Sequence, residues 1–252
     1  MTTRPPMTPS AAVPEIRVPG VFLTAEWRQL LMVNYVVDPG VLTPLVPAGT
    51  ELDLWEGRAY VSVVGFRFLK TRVWGMPIPF HRNFDEVNLR FYVRCRVGDE
   101  WRKGVTFVKE IVPRRAVAFV ARTLYNENYV HFPMRSTIAI PGRVQYEWHH
   151  AGAWERLSAD AIGESFAPAP DSEEEFITEH YWGYARQRDG TTVEYAVEHV
   201  PWRVWRCEAA ALAGQVGRLY GEQFLQFLND RPQSAFVADG SAVIFRKGVR
   251  LP

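Results

Sequence analysis

The segment Glu86–Arg94, with the sequence EVNLRFYVR, alternates polar and apolar residues with a period of two. One face carries a carboxylate, an amide and a guanidinium in succession, from Glu86, Asn88 and Arg90, and the other face is apolar. This alternation is typical of a half-buried β-strand. If the polar face meets solvent, it is an ordinary wet sheet face. If it points into a barrel, it forms a preorganised polar site.

The sequence on either side of this segment predicts many strands and few helices. Strands are expected at Trp27–Val37, Glu51–Trp55, Arg58–Leu69, Gly104–Ile111, Ala116–Thr123, Gln145–Trp148, Trp154–Ser158, Thr192–Arg206 and Ala235–Arg246. Helices are expected after the Asp38-Pro39 cap, after the Ser172–Glu175 capping box as far as about Tyr184, and at Cys207–Leu228. Short connections between these strands predict an α+β fold dominated by antiparallel sheet.

Composition excludes several classes of partner and setting. The chain has 29 basic and 28 acidic residues, so its net charge of +1 gives no electrostatic reason to expect nucleic acid or an anionic membrane surface as partner. It has no apolar run long enough for a transmembrane helix, and its start lacks the apolar core of a secretory signal. Cys95 and Cys207 make no disulfide framework, so a reducing, cytoplasmic setting is expected. Residues 1–20, rich in Pro, Ser and Thr, are expected to be a disordered lead-in.

Several sequence blocks stand in an order that resembles a known family. They are FDEVNLRFYV at Phe84–Val93, GVTF at Gly104–Phe107, VAR at Val120–Arg122 and the pair Asn128-Tyr129. Over roughly residues 22–246 the chain resembles the YqjF-like family of unknown function, a branch of the acetoacetate decarboxylase-like superfamily. The resemblance implies one domain over residues 21–252, built as a closed, cone-like antiparallel barrel with a central cavity and a few flanking helices. It also implies that the polar face of strand 86–94 points inward, and by analogy it implies a homo-oligomer.

One departure from the superfamily concerns its reactive lysine. Acetoacetate decarboxylases use a lysine as Schiff-base nucleophile, and the resemblance places the corresponding lysine pair near Tyr129 and Val130. The segment Thr123–Met134, TLYNENYVHFPM, contains no lysine. Imine-forming decarboxylation at this position is therefore excluded. Other members of the superfamily carry out aldol, dehydration and cyclisation steps on oxo-acids, and the resemblance permits those steps.

The strongest candidate site residues follow from the polar face and from this alignment. Glu86 is the candidate general acid or base, and its pKa is expected to be shifted in opposite directions by burial and by Arg90. The planar fork of Arg90 suits a substrate carboxylate, and Asn88 between the two is a candidate substrate-binding residue. Tyr129 is a candidate donor to an enolate or carbonyl oxygen. The alternative is a structural network in which Glu86 and Arg90 form an ion pair that orders the strand.

Two further substrate-binding candidates have equally plain structural alternatives. Arg122 ends the apolar stretch AVAFVAR, where its partner is Glu86, Glu110 or a bound anion, unless it reaches solvent at the strand end. Asn128 either contacts substrate or, like Asn126, bonds to nearby backbone in a turn.

Other chemistry-bearing residues give weaker signals. Strict alternation puts Lys109 on the same side as Val105 and Phe107 and puts Glu110 on the other side, and a surface position near the strand end is the favoured interpretation for this lysine. The adjacent His149 and His150 point to opposite faces of a strand, and His180 has no partner at ligand spacing, so no metal site is expected. No phosphate-binding or dinucleotide-binding fingerprint occurs, and no cofactor is expected.

The sequence therefore predicts a pocket for a small carboxylate or oxo-acid. If the protein is an enzyme, a lyase, hydratase or cyclase step with acid–base chemistry and no Schiff-base lysine is expected. The alternative is a non-catalytic ligand-binding or structural relative of the decarboxylase fold. A protein-interaction scaffold is a third hypothesis, supported only by the 13% aromatic content.

Overall fold

A computed structural model describes residues 20–114 and 128–251. Of the expected lead-in, only Gly20 falls within these ranges. The expected strand at Ala116–Thr123, together with Arg122 and Asn126, lies outside the described residues.

Strands dominate the described parts of the chain. They are β1 (Val21–Val37), β2 (Glu51–Leu52), β3 (Ala59–Val73), β4 (Met76–Pro77), β5 (Phe84–Val97), β6 (Glu100–Val112), β7 (Tyr129–His131), β8 (Met134–Ile138), β9 (Gly142–His150), β10 (Ala153–Phe166), β11 (Trp182–Arg186), β12 (Thr192–Glu198), β13 (Val204–Ala213), β14 (Ser234–Ala238), β15 (Ala242–Arg246) and β16 (Val249–Arg250). The helices are short: α1 (Pro39–Leu42), α2 (Glu173–Thr178), α3 (Val216–Tyr220) and α4 (Leu225–Leu228), with 3₁₀ turns at Thr43–Leu45 and Glu222–Phe224.

Seven of the described strands form a closed ring. Hydrogen-bonded pairing runs from β1 through β3, β5, β6, β11, β12 and β15 and returns to β1. Within this ring only the β6–β11 pair is parallel. The predicted α+β fold of mainly antiparallel strands around a central cavity is therefore confirmed.

A second group of strands covers the outside of the ring. The sheet continues from β1 through β14, β13, β10, β9 and β8, and β8 and β9 contact the outer faces of β5 and β3. Gly65 in β3 lies against the ring of Tyr146 in β9, where an added Cβ would come within 2.5 Å of that ring. One apolar core fills the space between ring and cover, and a second lines the inside of the ring.

This cover changes the environment of the segment Glu86–Arg94. The outward side chains of Val87, Leu89 and Phe91 are fully buried in the core between ring and cover. The inward side chains of this segment from Glu86 to Tyr92 are buried as well, whereas that of Arg94 is 37% exposed. Alternation therefore predicted the buried apolar face, and of the two alternatives for the polar face the structure shows the barrel interior rather than solvent.

Strand pairing shortens one of the expected helices and replaces the first half of another. The helix after Ser172, whose hydroxyl accepts from the Glu175 amide, stops at Thr178, and Trp182 begins β11. The expected helix at Cys207–Leu228 is wrong in its first half, because that half pairs with β10 as part of β13. Helix-favouring composition is a weak preference that tertiary pairing overrides. The expected strand at Thr192–Arg206 is divided in two, since β12 ends at Glu198 and β13 begins at Val204.

Candidate functional site

The interior of the strand ring contains a cavity of about 50 Å³. By the same measure one water molecule needs about 10–15 Å³, so the cavity has room for about four waters or for one small organic acid. The polar side chains of its wall include those of Glu86, Asn88, Arg90, Glu110, Tyr129, Thr178, His180 and His199. The remaining wall is largely aromatic and aliphatic. The polar face of β5 therefore points into an enclosed interior.

Register explains which residues reach the cavity. The inward residues of β5 pair with inward residues of β3, so that Asn88 lies opposite Val64 and Glu86 lies opposite Phe66. On β6, Asn88 lies opposite Glu110, which brings a second carboxyl group to the cavity wall.

A bulge in β6 decides the positions of Lys109 and Glu110. Leu89 pairs with Lys109 but the next residue, Arg90, pairs with Phe107, so Val108 is an extra residue in β6. The bulge puts Glu110 on the cavity side and Lys109 on the outer side with Leu89. The expectation that Lys109 shares a side with Phe107 was wrong for this reason. The chain has four lysines, and all are described: Lys70, Lys103, Lys109 and Lys247. None of them lines the cavity.

Glu86 is 2% exposed and is held by two donors. Asn88 Nδ2 donates to Oε1 across 3.2 Å, and the Tyr129 hydroxyl donates to Oε2 across 3.3 Å. Burial raises the pKa of the Glu86 carboxyl to about 7, because the charged form loses its hydration, and the two hydrogen bonds act in the opposite direction. These two donors, rather than Arg90 as expected, oppose the effect of burial. The carboxyl group can therefore both give and take a proton near neutral pH.

Arg90 is 8% exposed and has no acidic partner among the described residues. Its Nη2 donates to the Ile177 carbonyl across 3.2 Å, and its guanidinium carbon lies 5.6 Å from the ring centre of Tyr92. The expected alternative, an ion pair between Glu86 and Arg90, is not formed. Arg90 Nε is buried and has no hydrogen-bond partner in the described part of the chain. A buried charge is costly unless it is paired. An anion next to the guanidinium of Arg90 would remove this cost.

Further buried polar atoms at the cavity lack partners among the described residues. They are Trp27 Nε1, Asn88 Oδ1 and His180 Nδ1, in addition to Arg90 Nε. Native proteins rarely leave buried polar atoms unpaired, since each one costs about 1–3 kcal/mol. These atoms lie together on one small cavity, where ordered water or a polar ligand would supply the missing partners.

The sequence analysis considers His180 only as a possible metal ligand. It does not predict that His180 lines the cavity. It lies between α2 and β11, with its Nε2 3.1 Å from Asp53 Oδ2 and its ring 4.8 Å from that of Tyr92. Asp53 is 127 positions away in the chain, so no local pattern joins the two residues. Burial lowers the pKa of His180, and the hydrogen bond to Asp53 opposes this effect.

The three remaining predicted site residues have different positions. Tyr129 reaches the cavity, as described above. Asn128 is exposed and does not line it, and its Nδ2 donates instead to the Val108 carbonyl across 2.8 Å. Arg122 lies outside the described residues.

Residues 20–114 and 128–251 contain no group of three or more His, Cys, Asp or Glu side chains placed to hold a metal ion. Within the same ranges, no helix has both the length and the apolar character needed to cross a bilayer.

Several solved structures have a similar fold. An acetoacetate decarboxylase from Legionella pneumophila matches with a TM-score of 0.66 at 11% identity, covering 96% of this chain and 93% of that chain. The enduracididine biosynthesis enzyme MppR, in complex with pyruvate, matches with a TM-score of 0.66 at 13% identity, over 95% of this chain and 93% of that one. An acetoacetate decarboxylase-like enzyme from Sphingomonas wittichii RW1 matches with a TM-score of 0.64 at 14% identity, over 92% and 94% of the two chains. At these identities the matches establish the fold alone.

Sequence comparison identifies the family and confirms the resemblance described above. The uncharacterized protein YqjF of Bacillus subtilis (strain 168) is 28% identical over 216 residues, which cover 82% of this chain and 85% of that protein. The model of the DUF2071 family, described as an uncharacterized conserved protein, matches residues 24–242. With most of its length matched by that model, and with the acetoacetate decarboxylase-like fold built around its cavity, the chain belongs to the DUF2071 family.

Proposed function

We propose that the cavity binds a small carboxylate or oxo-acid and that Arg90 is its anchor. The observation that carries this proposal is the buried guanidinium of Arg90, which faces the cavity without an acidic partner among the described residues. A ligand carboxylate would supply the missing negative charge and accept a hydrogen bond from Nε. Trp27 Nε1, also buried and unpartnered in the described part of the chain, offers a second donor on the same cavity.

The size of the cavity supports a ligand of a few non-hydrogen atoms. A volume of about 50 Å³ suits an acid of three or four carbons better than a nucleotide or a sugar phosphate. The structural neighbour MppR, whose fold is similar, is described in complex with pyruvate, an acid of this size.

The chemistry proposed for this site is proton transfer at a carbon next to a carbonyl group, which is either an oxo group or the carboxyl group of the ligand itself. Glu86 in its ionised form takes the proton from that carbon, and the negative charge that develops on the carbonyl oxygen is stabilised by hydrogen-bond donors of the wall. Tyr129, which donates to Glu86 in the free protein, is placed to keep the carboxyl group oriented. Such a step suits a lyase, hydratase or cyclase. No lysine lines the cavity, so the proposed route forms no imine.

Thermal unfolding with a panel of oxo-acids and hydroxy-acids tests the binding proposal. An acid that binds the native state raises the unfolding temperature by mass action. We expect the rise to be lost in Arg90→Ala and kept in Arg96→Ala, a control on the same strand whose side chain is 64% exposed. A rise that persists in Arg90→Ala, or a panel without any hit, would contradict the proposal.

Turnover of a hit separates an enzyme from a binding protein. The proposed enzyme consumes the hit, and Glu86→Gln abolishes turnover while binding is retained. Binding without turnover in the unmodified protein would favour the alternative of a non-catalytic relative that has kept the fold.

A further inference from the structure

The pair Asp53–His180 places a defined hydrogen-bond acceptor on the cavity wall. The His180 side chain is 1% exposed and that of Asp53 is 5% exposed. His180 Nε2 lies 3.1 Å from Asp53 Oδ2, and the other ring nitrogen, Nδ1, is buried at the cavity with no partner among the described residues. One nitrogen of the ring is thus committed to the protein and the other is available to a ligand.

Asp53 fixes which nitrogen carries the proton. An ionised carboxylate has only acceptor oxygens, so the His180 nitrogen that faces it must be the donor. In a neutral imidazole the second nitrogen then has a lone pair and no hydrogen. Nδ1 is therefore an acceptor as long as the ring is neutral.

The surroundings of His180 favour the neutral ring. Burial lowers its pKa because the imidazolium loses its hydration, and the positive charges of Arg90 and Lys103 act in the same direction, while Asp53 opposes them. The aromatic rings of Tyr92 and Phe176 also pack against it, at 4.8 Å and 5.0 Å between ring centres.

Arg90 and His180 line the same cavity, and the charge of Arg90 acts on the His180 ring. Both pack on the ring of Tyr92, with the guanidinium carbon of Arg90 5.6 Å from its centre. The wall thus offers buried donors, Arg90 Nε and Trp27 Nε1, and buried acceptors, His180 Nδ1 and Asn88 Oδ1. A carboxylate satisfies the donors, but only a group with a hydrogen to donate satisfies the acceptors.

We propose that His180 Nδ1 accepts a hydrogen bond from a hydroxyl group of the ligand, so that the cavity selects a 2-hydroxy acid over the 2-oxo acid with the same carbon skeleton. This inference rests on the proposed function, because Arg90 must hold the carboxylate next to that hydroxyl. The oxo group of a 2-oxo acid has no hydrogen and leaves the acceptors unpaired. Sites built to bond a hydroxyl group reject analogues that lack it for this reason.

Isothermal titration of the unmodified protein with lactate, pyruvate and propionate at pH 7.5 tests the inference. We expect lactate to bind at least about tenfold more tightly than either of the others, the equivalent of one hydrogen bond to a buried group. Equal affinities for the three acids would overturn the role of His180 and leave the carboxylate site standing. No binding of any of them would overturn the proposed function and this inference with it.

The variant Asp53→Asn tests the same claim by changing which ring nitrogen of His180 carries the hydrogen. Arg94 Nη1 lies 4.0 Å from Asp53 Oδ1, so the asparagine oxygen is expected to face Arg94 and its NH₂ group to face His180. His180 Nε2 then accepts, Nδ1 carries the hydrogen, and the tenfold preference for lactate falls to near one. The control Glu51→Gln alters an exposed carboxylate that bonds to the same arginine and should keep the preference.

A second variant, His180→Phe, tests the inference independently if Asp53→Asn fails to fold. His180→Phe keeps a ring between Tyr92 and Phe176 but removes the acceptor, and it should also abolish the preference. A merely structural role for His180 would weaken lactate and pyruvate binding by the same factor. A lactate preference that survives both substitutions, or equal weakening of the two acids, would overturn the inference.

Discussion

Glu86 and Arg90 lie on the same inward face of β5 but form no ion pair with each other. The carboxyl group accepts from Asn88 and Tyr129, whereas the guanidinium donates to the Ile177 carbonyl. An ion pair would have neutralised both groups within the protein. Their separation leaves two groups on one small cavity: a carboxyl group with a pKa near neutrality, and a guanidinium without an acidic partner among residues 20–114 and 128–251.

The buried carboxyl of Glu86 should make stability depend on pH. Its pKa is raised from 4.5 to about 7, so the native state holds the proton more tightly than the unfolded chain does. The contribution to stability is therefore present below about pH 4.5 and is lost as the pH rises through 7. Because glutamine mimics the neutral form, the stability of Glu86→Gln relative to the unmodified protein should rise by about 2 kcal/mol between pH 5 and pH 8.

Urea unfolding of both proteins at the two pH values measures this difference. The exposed residue Glu208 supplies a control, since Glu208→Gln should differ from the unmodified protein by less than about 0.5 kcal/mol at either pH. A Glu86→Gln difference that is the same at pH 5 and pH 8 would contradict the raised pKa.

Removing the Tyr129 hydroxyl should raise the pKa of Glu86 further. The hydroxyl donates to the ionised carboxylate and so favours it, and Tyr129→Phe removes that preference while keeping the ring. The titration of the Glu86 side-chain carboxyl carbon, followed by NMR, should shift to higher pH in the variant. A shift to lower pH, or none, would show that the hydrogen bond does not govern this group.

Gly183, at the cavity wall in β11, should not tolerate a side chain. An added Cβ would lie 2.2 Å from the ring of Tyr195, so Gly183→Ala must displace that ring. We expect a loss of about 1–3 kcal/mol in the free energy of unfolding. Gly20→Ala, where no heavy atom lies within 4 Å of the added carbon, should be nearly neutral. Similar losses in the two variants would argue against crowding as the cause.

The buried hydroxyl of Ser62, which lies opposite Arg90 in the β3–β5 pairing, should matter for stability more than an exposed one. Ser62 Oγ donates to Asn34 Oδ1 across 2.6 Å and lies 2.6 Å from the Tyr92 hydroxyl. Ser62→Ala leaves these groups short of a partner and should cost about 1–3 kcal/mol in thermal or urea unfolding. Thr43→Ala, which removes an exposed hydroxyl bonded to the Pro39 carbonyl, should cost less than about 1 kcal/mol. Equal costs would mean that the network around Ser62 adds no stability.

The sequence predicted the parts of the site that depend on strand alternation. Alternation along β5 separates Glu86, Asn88 and Arg90 from the core side chains, and the structure keeps that separation. On β6 the prediction from alternation was wrong. A one-residue bulge at Val108 reverses the direction of the side chains that follow it, so Glu110 points inward. A bulge of this kind depends on pairing with the neighbouring strand and leaves no period in the sequence itself.

Local sequence patterns also do not predict contacts between residues that are far apart in the chain. The Asp53–His180 pair joins residues that only the closed ring brings together. The alanine-rich stretch at the start of the expected helix at Cys207–Leu228 favours a helix locally, but pairing of β13 with β10 and β14 determines its structure. Burial of the polar, inward face of β5 depends on closure of the strand ring, which no feature of the β5 sequence reveals.

A crystal structure of the protein with a bound three-carbon acid, lactate or pyruvate, tests the central claim most directly. We predict that the acid occupies the cavity and that a carboxylate oxygen lies about 3 Å from Arg90 Nε. An acid bound elsewhere on the protein while the cavity stays unoccupied, or an acid in the cavity whose carboxylate turns away from Arg90, would contradict the proposal.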